Sequence, residues 1–128
     1  MLTRVLLIGL AGALGTLARY FVGLWAGRTL GTWFPYGTLI VNVVGCFLIT
    51  LVTELALRTT LVSPTLRSIL TTGFMGGLTT YSAFDLETTN LLRERAWASA
   101  AANVVVTLGL CFVAGLVGLL LGKRIAGS

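Results

Sequence analysis

The sequence predicts an all-α membrane protein of four transmembrane helices, the third broken near mid-membrane, paired as an antiparallel homodimer. Three observations carry that expectation. Hydrophobic side chains make up 56% of the 128 residues and charged ones only 10%, against about 25% charged in an ordinary soluble domain. The mean hydropathy is +0.97, and a water-soluble fold of this size could not cover so apolar a surface. A helix needs about 20 apolar residues to cross the hydrocarbon, so residues 1–128 have room for one domain of four crossings and short turns, with no soluble appendage.

The first span is expected from about Arg4 to Ala26. Its short cationic start resembles a signal peptide, but the apolar run continues past Arg19 and is too long for a cleaved core. The second span is expected from Tyr36 to Leu57, the third from Ser68 to Leu92 and the fourth from Ala98 to Gly122. Gly31 and Pro35 punctuate the first turn, Ser63 and Pro64 the second, and Arg93, Glu94 and Arg95 the third. Small residues recur at helical spacing, as in the pairs Gly9 with Gly12 and Ala11 with Gly15 on the first span and Gly115, Gly118 and Gly122 on the fourth. They permit the close helix contacts that drive association where lipid supplies no hydrophobic force.

The net charge of +5 comes from basic residues scattered along the chain. That is end-of-helix anchoring, and it implies a lipid bilayer rather than a nucleic-acid partner. One side of the membrane collects Arg4, Arg58, Arg67, Lys123 and Arg124, and the other Arg28, Arg93 and Arg95, with Arg19 inside the first span. Five against three is a weak bias for a feature that normally sets orientation. A chain that inserts both ways can pair with its own inverted copy, hence dual topology and the antiparallel dimer. Four short helices hardly enclose a path of their own, so a pore would lie between or along subunits.

The third span contains Gly73-Phe74-Met75-Gly76-Gly77-Leu78-Thr79-Thr80-Tyr81-Ser82-Ala83-Phe84. Glycine costs about 1 kcal/mol in a helix relative to alanine and adjacent β-branched threonines add to that, so a break is expected between Gly76 and Thr80. Irregular backbone at membrane depth is tolerated where it is buried in protein or lines a polar cavity, and its carbonyls can coordinate a cation. A glycine-packed but continuous helix is the alternative. Beyond the break, Tyr81 and Phe84 lie three apart on one face; their ring edges could favour a desolvated anion, or they could simply pack.

On the fourth span Asn103, Thr107 and Cys111 form a polar stripe about 12 Å long at 1.5 Å per residue. It reads equally as a ladder of donors for an ion or as glue between helices. Arg19, Asn42, Asp85 and Glu87 are displaced from mid-span toward one side, and Arg19 is expected to pair with Glu87 or Asp85, since intramembrane charges normally pair or face water. Cys46 and Cys111 lack a second sulfur or histidine at ligand spacing, so neither a metal site nor a disulfide is expected. The chain has no histidine, and without a base for Ser82 or the cysteines an enzyme is not expected.

These residues resemble the small dual-topology fluoride channels of the Fluc (CrcB) family over essentially the whole chain. The resemblance is carried by Gly73 to Phe84, by Pro35-Tyr36-Gly37-Thr38-Leu39 running into Val41-Asn42, and by Gly15-Thr16-Leu17-Ala18-Arg19-Tyr20. It implies passive fluoride export across a bacterial inner membrane by an antiparallel dimer with two narrow paths and a central structural sodium ion. By the same resemblance, backbone carbonyls of Gly76 and Thr79 hold the sodium. Asn42, Tyr81, Ser82, Phe84, Asn103, Thr107 and Cys111 form the fluoride path, supported by Arg19 and Glu87. Two departures stand out: Tyr81 replaces the usual phenylalanine, and Asp85 a small polar residue. A carboxylate beside an anion path repels the anion, so Asp85 is expected to be turned away or neutralised. A small multidrug exporter is the main rival, but it needs an acid deep in the first helix, where this chain has Arg19. A non-transporting assembly subunit would explain the small residues but not the polar stripe and the broken helix together.

Overall fold

The computed structural model describes Met1–Gly127. Among the described residues three helices are long and apolar enough to cross a membrane: α1 (Leu2–Thr29), α2 (Tyr36–Arg58) and α6 (Trp97–Ile125). Between α2 and α6 the chain is interrupted: α3 (Pro64–Ser68), a π-helical stretch (Ile69–Met75), a single turn α4 (Gly76–Leu78), then α5 (Tyr81–Arg93). At their C-terminal ends α1 and α6 run three residues beyond the expected ends and α2 one, and Arg28, Arg58, Lys123 and Arg124 sit in the last turns, where cations favour the helix dipole.

Each element has a local cause. Ser63 caps α3 by accepting from the Leu66 N–H at 3.1 Å, with Pro64 at the first helical position. Gly31 has a φ of 90° in the α1–α2 turn, a conformation glycine adopts without penalty. The turn after α5 uses no glycine. Arg95 takes a φ of 61°, while the Ala96 N–H donates to the Leu91 carbonyl at 2.8 Å and the Arg95 N–H to that of Leu92 at 3.0 Å. That double bond pattern closes the helix and offsets the cost of a left-handed arginine.

Two parallel pairings organise the chain. In the first, α1 lies against the π-helical stretch and α4, with backbone against backbone. A Cβ on Gly15 would fall 2.0 Å from the Phe74 carbonyl oxygen, and one on Gly77 would fall 2.2 Å from that of Gly12. In the second and most extensive pairing, α2 lies along α6. The Thr50 hydroxyl donates across it to the Gly115 carbonyl at 2.8 Å, and further on Glu54 covers Gly122 while pairing with Arg58.

The interior is narrow, built from Ala11, Ala26, Phe34, Val41, Met75, Leu78, Phe84 and Ala100, with Asn42, Glu54, Asn103 and Thr107 buried among them. The large apolar side chains point outward, as in the stripe Leu6, Leu10, Leu14, Leu17 and Phe21 on α1. An apolar exterior around a partly polar interior is what lipid or another apolar surface accommodates and water does not.

Candidate functional site

The helix break is present, and narrower than expected: Gly76–Leu78 remain helical, and only Thr79 (ψ 155°) and Thr80 (φ −155°, ψ 114°) are extended. The poor helix formers before it are accommodated by the π-helical turn, which keeps Gly73 and Gly77 against α1. The backbone groups freed at the break find specific partners. The Thr80 hydroxyl accepts from the Ala83 N–H at 3.1 Å and so caps α5, and the Thr79 hydroxyl donates to the Met75 carbonyl at 2.9 Å.

Asn42, buried on α2, clamps the break. Its Oδ1 accepts from the Thr80 N–H at 2.7 Å, and its Nδ2 donates to the Thr80 carbonyl at 3.1 Å, replacing the ladder bonds that the extended pair lacks. An amide nitrogen carries two N–H groups, so one donor is left for the adjacent groove.

Arg19 does not pair with Glu87 or Asp85. Its Nε donates to the Gly77 carbonyl at 3.0 Å. After the extended pair, α5 leans on α6 and α2 rather than on α1, so its acids are carried away from α1. Glu87 instead accepts from the Thr38 hydroxyl at 2.7 Å, with its second oxygen buried and unpartnered among the described residues. Asp85 is exposed and lies outside the groove lining. With the Gly77 and Thr80 carbonyls occupied, no donor from outside the helical ladder reaches those of Gly76, Leu78 and Thr79 among the described residues.

A groove of about 410 Å³ opens at this level, lined by Asn42, Cys46, Tyr81, Phe84, Thr107 and Cys111 together with the backbone of the break. The Tyr81 and Phe84 rings sit 5.6 Å apart at 58°. Phe84 is 8% exposed and Tyr81 78%, so the first is held by the chain and the second projects from it. The Tyr81 hydroxyl has no hydrogen-bond partner among the described residues. Ser82 is exposed, 3.3 Å from the Thr80 hydroxyl, and not part of the groove lining.

The stripe on α6 divides. Asn103 faces α5, donating to the Thr88 hydroxyl at 2.8 Å, while Thr88 donates to the Phe84 carbonyl at 2.7 Å. Thr107 donates to the Asn103 Oδ1 at 3.2 Å and also reaches the groove, as Cys111 does. Within one chain Asn103 thus links α6 to the turn of α5 that carries Phe84. The sequence reading missed Thr88, although it is four residues after Phe84 and faces a buried asparagine. It also missed that Cys46 on α2 and Cys111 on α6 are both free thiols lining the same groove.

The family model described as CrcB-like protein, Camphor Resistance (CrcB) matches residues 6–119. A relative from Sorangium cellulosum, named fluoride-specific ion channel FluC, is 50% identical over 118 residues, covering 92% of this chain and 93% of its own. Relatives of the same name from Geobacter metallireducens and Geotalea daltonii are 47% identical over 125 residues (98% of this chain, 100% of the relative) and 50% identical over 109 residues (85% and 88%).

Proposed function

The chain belongs to the CrcB-like family, and from that premise we propose that it is a fluoride-selective channel that lets fluoride leave a bacterial cytoplasm passively across the inner membrane. The observation that carries the reading is the helix break: the same two extended residues that free backbone groups also open a groove holding an amide donor and two aromatic rings. A desolvated small anion needs donors and positive ring edges in place of water, and Asn42 and Phe84 supply one of each. The driving force is the membrane potential, worth about 2.3 kcal/mol per charge per 100 mV. That is enough to hold internal fluoride about fifty-fold below external at such a potential, with no coupling chemistry, and the channel is not an enzyme.

In this reading the broken segment from Pro64 to Arg93 is a fourth crossing. It runs parallel to α1 as α6 runs parallel to α2, which is the pattern of a chain that crosses up, down, up and down. The functional unit is an antiparallel homodimer with two paths, because the groove is open on one side and Tyr81 projects from the chain toward a surface it lacks. The weak basic bias supports insertion in both orientations. Gly76 and Thr79 fit the structural sodium that the resemblance implies: no cluster of three or more His, Cys, Asp or Glu side chains could hold a metal among the described residues, whereas no donor from outside the helical ladder reaches these two carbonyls. Unwound backbone carbonyls suit sodium, and the ion would supply a positive charge that ties two chains together at their breaks.

Expression in a bacterium lacking its own fluoride exporters tests the role: growth should be restored in fluoride medium, and no rescue by chain present in the membrane counts against it. In a cysteine-free background, a single Gly127→Cys should be labelled from both sides of the membrane; labelling from one side only rejects dual topology.

A further inference from the structure

Cys46 and Cys111 take no part in the clamp at the break, yet the register of α2 and α6 sets them face to face. One turn further along both helices, the Thr50 hydroxyl bonds the Gly115 carbonyl at 2.8 Å. A Cβ added to Gly115 would lie 3.8 Å from the Cys46 carbonyl oxygen, so the two backbones are close at this level. Both thiols are free and half-buried, and both line the groove beside Phe84 and Thr107, each one turn before the residues that the Thr50–Gly115 bond joins. No third metal-ligating side chain joins them among the described residues, which excludes a four-ligand thiolate or imidazole centre of the zinc type. Two sulfurs alone suit a soft d10 ion that is satisfied by two opposed ligands.

We propose that Cys46 and Cys111 form a two-coordinate thiolate site for a soft d10 cation of the mercury(II) class, and that its occupation obstructs the groove. Mercury(II) chloride is neutral and can enter the membrane intact. On binding, both mercury–chlorine bonds break and two mercury–sulfur bonds form. The two thiol protons and two chlorides leave to water, and nothing is oxidised or reduced. The metal then sits between α2 and α6 on the wall opposite the break. The obstruction rests on the fluoride-channel reading, whereas the binding does not.

Purified full-length chain titrated with mercury(II) chloride separates the two parts. Intact mass should show one mercury per chain with both thiols protected from maleimide. Cys46→Ala and Cys111→Ala should each lose the metal to a monothiol competitor roughly a hundredfold more readily than the parent, because a second tethered ligand raises retention by about that factor or more. Cys46→Ser, closer in size to cysteine, repeats the comparison if the alanine variant fails to fold. Two mercury ions per chain, one on each thiol, or single variants that retain metal as the parent does, overturn the site. In proteoliposomes, loading should reduce fluoride efflux at least tenfold and a dithiol should restore it. Unchanged efflux with one mercury bound per chain overturns the obstruction.

Discussion

Replacing Asn42 by alanine removes both hydrogen bonds that hold the break, at 2.7 and 3.1 Å, and leaves the Thr80 N–H and carbonyl without partners. A buried polar group left unsatisfied costs about 1–3 kcal/mol. Thr80 is half-buried, so neighbouring groups or water relieve part of the penalty, and a loss of about 2–3 kcal/mol is expected for the pair. For a chain of this size that corresponds to a fall in Tm of roughly 10 °C, readable by thermal unfolding in detergent. The consequence for conduction is separate. Thr80 caps α5 and is followed at once by Tyr81, with Phe84 on the next turn, so loosening Thr80 lets both rings move while the groove also loses its amide donor. Fluoride efflux from liposomes should slow at least tenfold. A variant with Tm within two degrees of the parent and undiminished efflux would refute the argument that Asn42 is both clamp and donor.

Gly15→Ala should destabilise the fold by about 1–3 kcal/mol through overpacking, because its Cβ would lie 2.0 Å from the Phe74 carbonyl oxygen; Gly12→Ala, one turn earlier with its nearest neighbour at 3.6 Å, should be within about 1 kcal/mol of the parent in the same melt. Phe84→Ile should abolish most fluoride flux, since this buried ring offers only its edge to an ion, whereas Tyr81→Phe should retain flux; loss of flux in Tyr81→Phe with normal assembly would make the phenol a direct fluoride donor. Thr50→Val, which deletes the bond to the Gly115 carbonyl, should cost only about 0.6 kcal/mol, the mean for such bonds between membrane helices, and a loss above about 2 kcal/mol would contradict that weight.

The all-helical fold, three long apolar spans with their approximate ends, and the break were legible because they depend on composition within one segment: long apolar runs for α1, α2 and α6, and adjacent glycines and threonines for the break. Partners were less so. The pairing expected for Arg19 followed sequence depth alone, but two extended residues redirect α5, and Arg19 meets a carbonyl while Glu87 meets Thr38. Asn42 could have been read as a clamp, since a break in an apolar environment must satisfy its backbone somewhere; only its depth was used. That Cys46 and Cys111 line one groove depends on the α2–α6 register, and the sequence spacing of 65 residues holds no trace of it. Asn103 was open between ladder and glue, and within one chain its amide bonds Thr88.

The most direct test of the account is fluoride efflux from proteoliposomes loaded with potassium fluoride, with a potassium ionophore added to relieve the charge and external fluoride read by electrode. The account predicts rapid efflux that depends on the ionophore and no comparable efflux when chloride replaces fluoride. Efflux no faster than from protein-free liposomes, with folded protein recovered from the membranes, would contradict it.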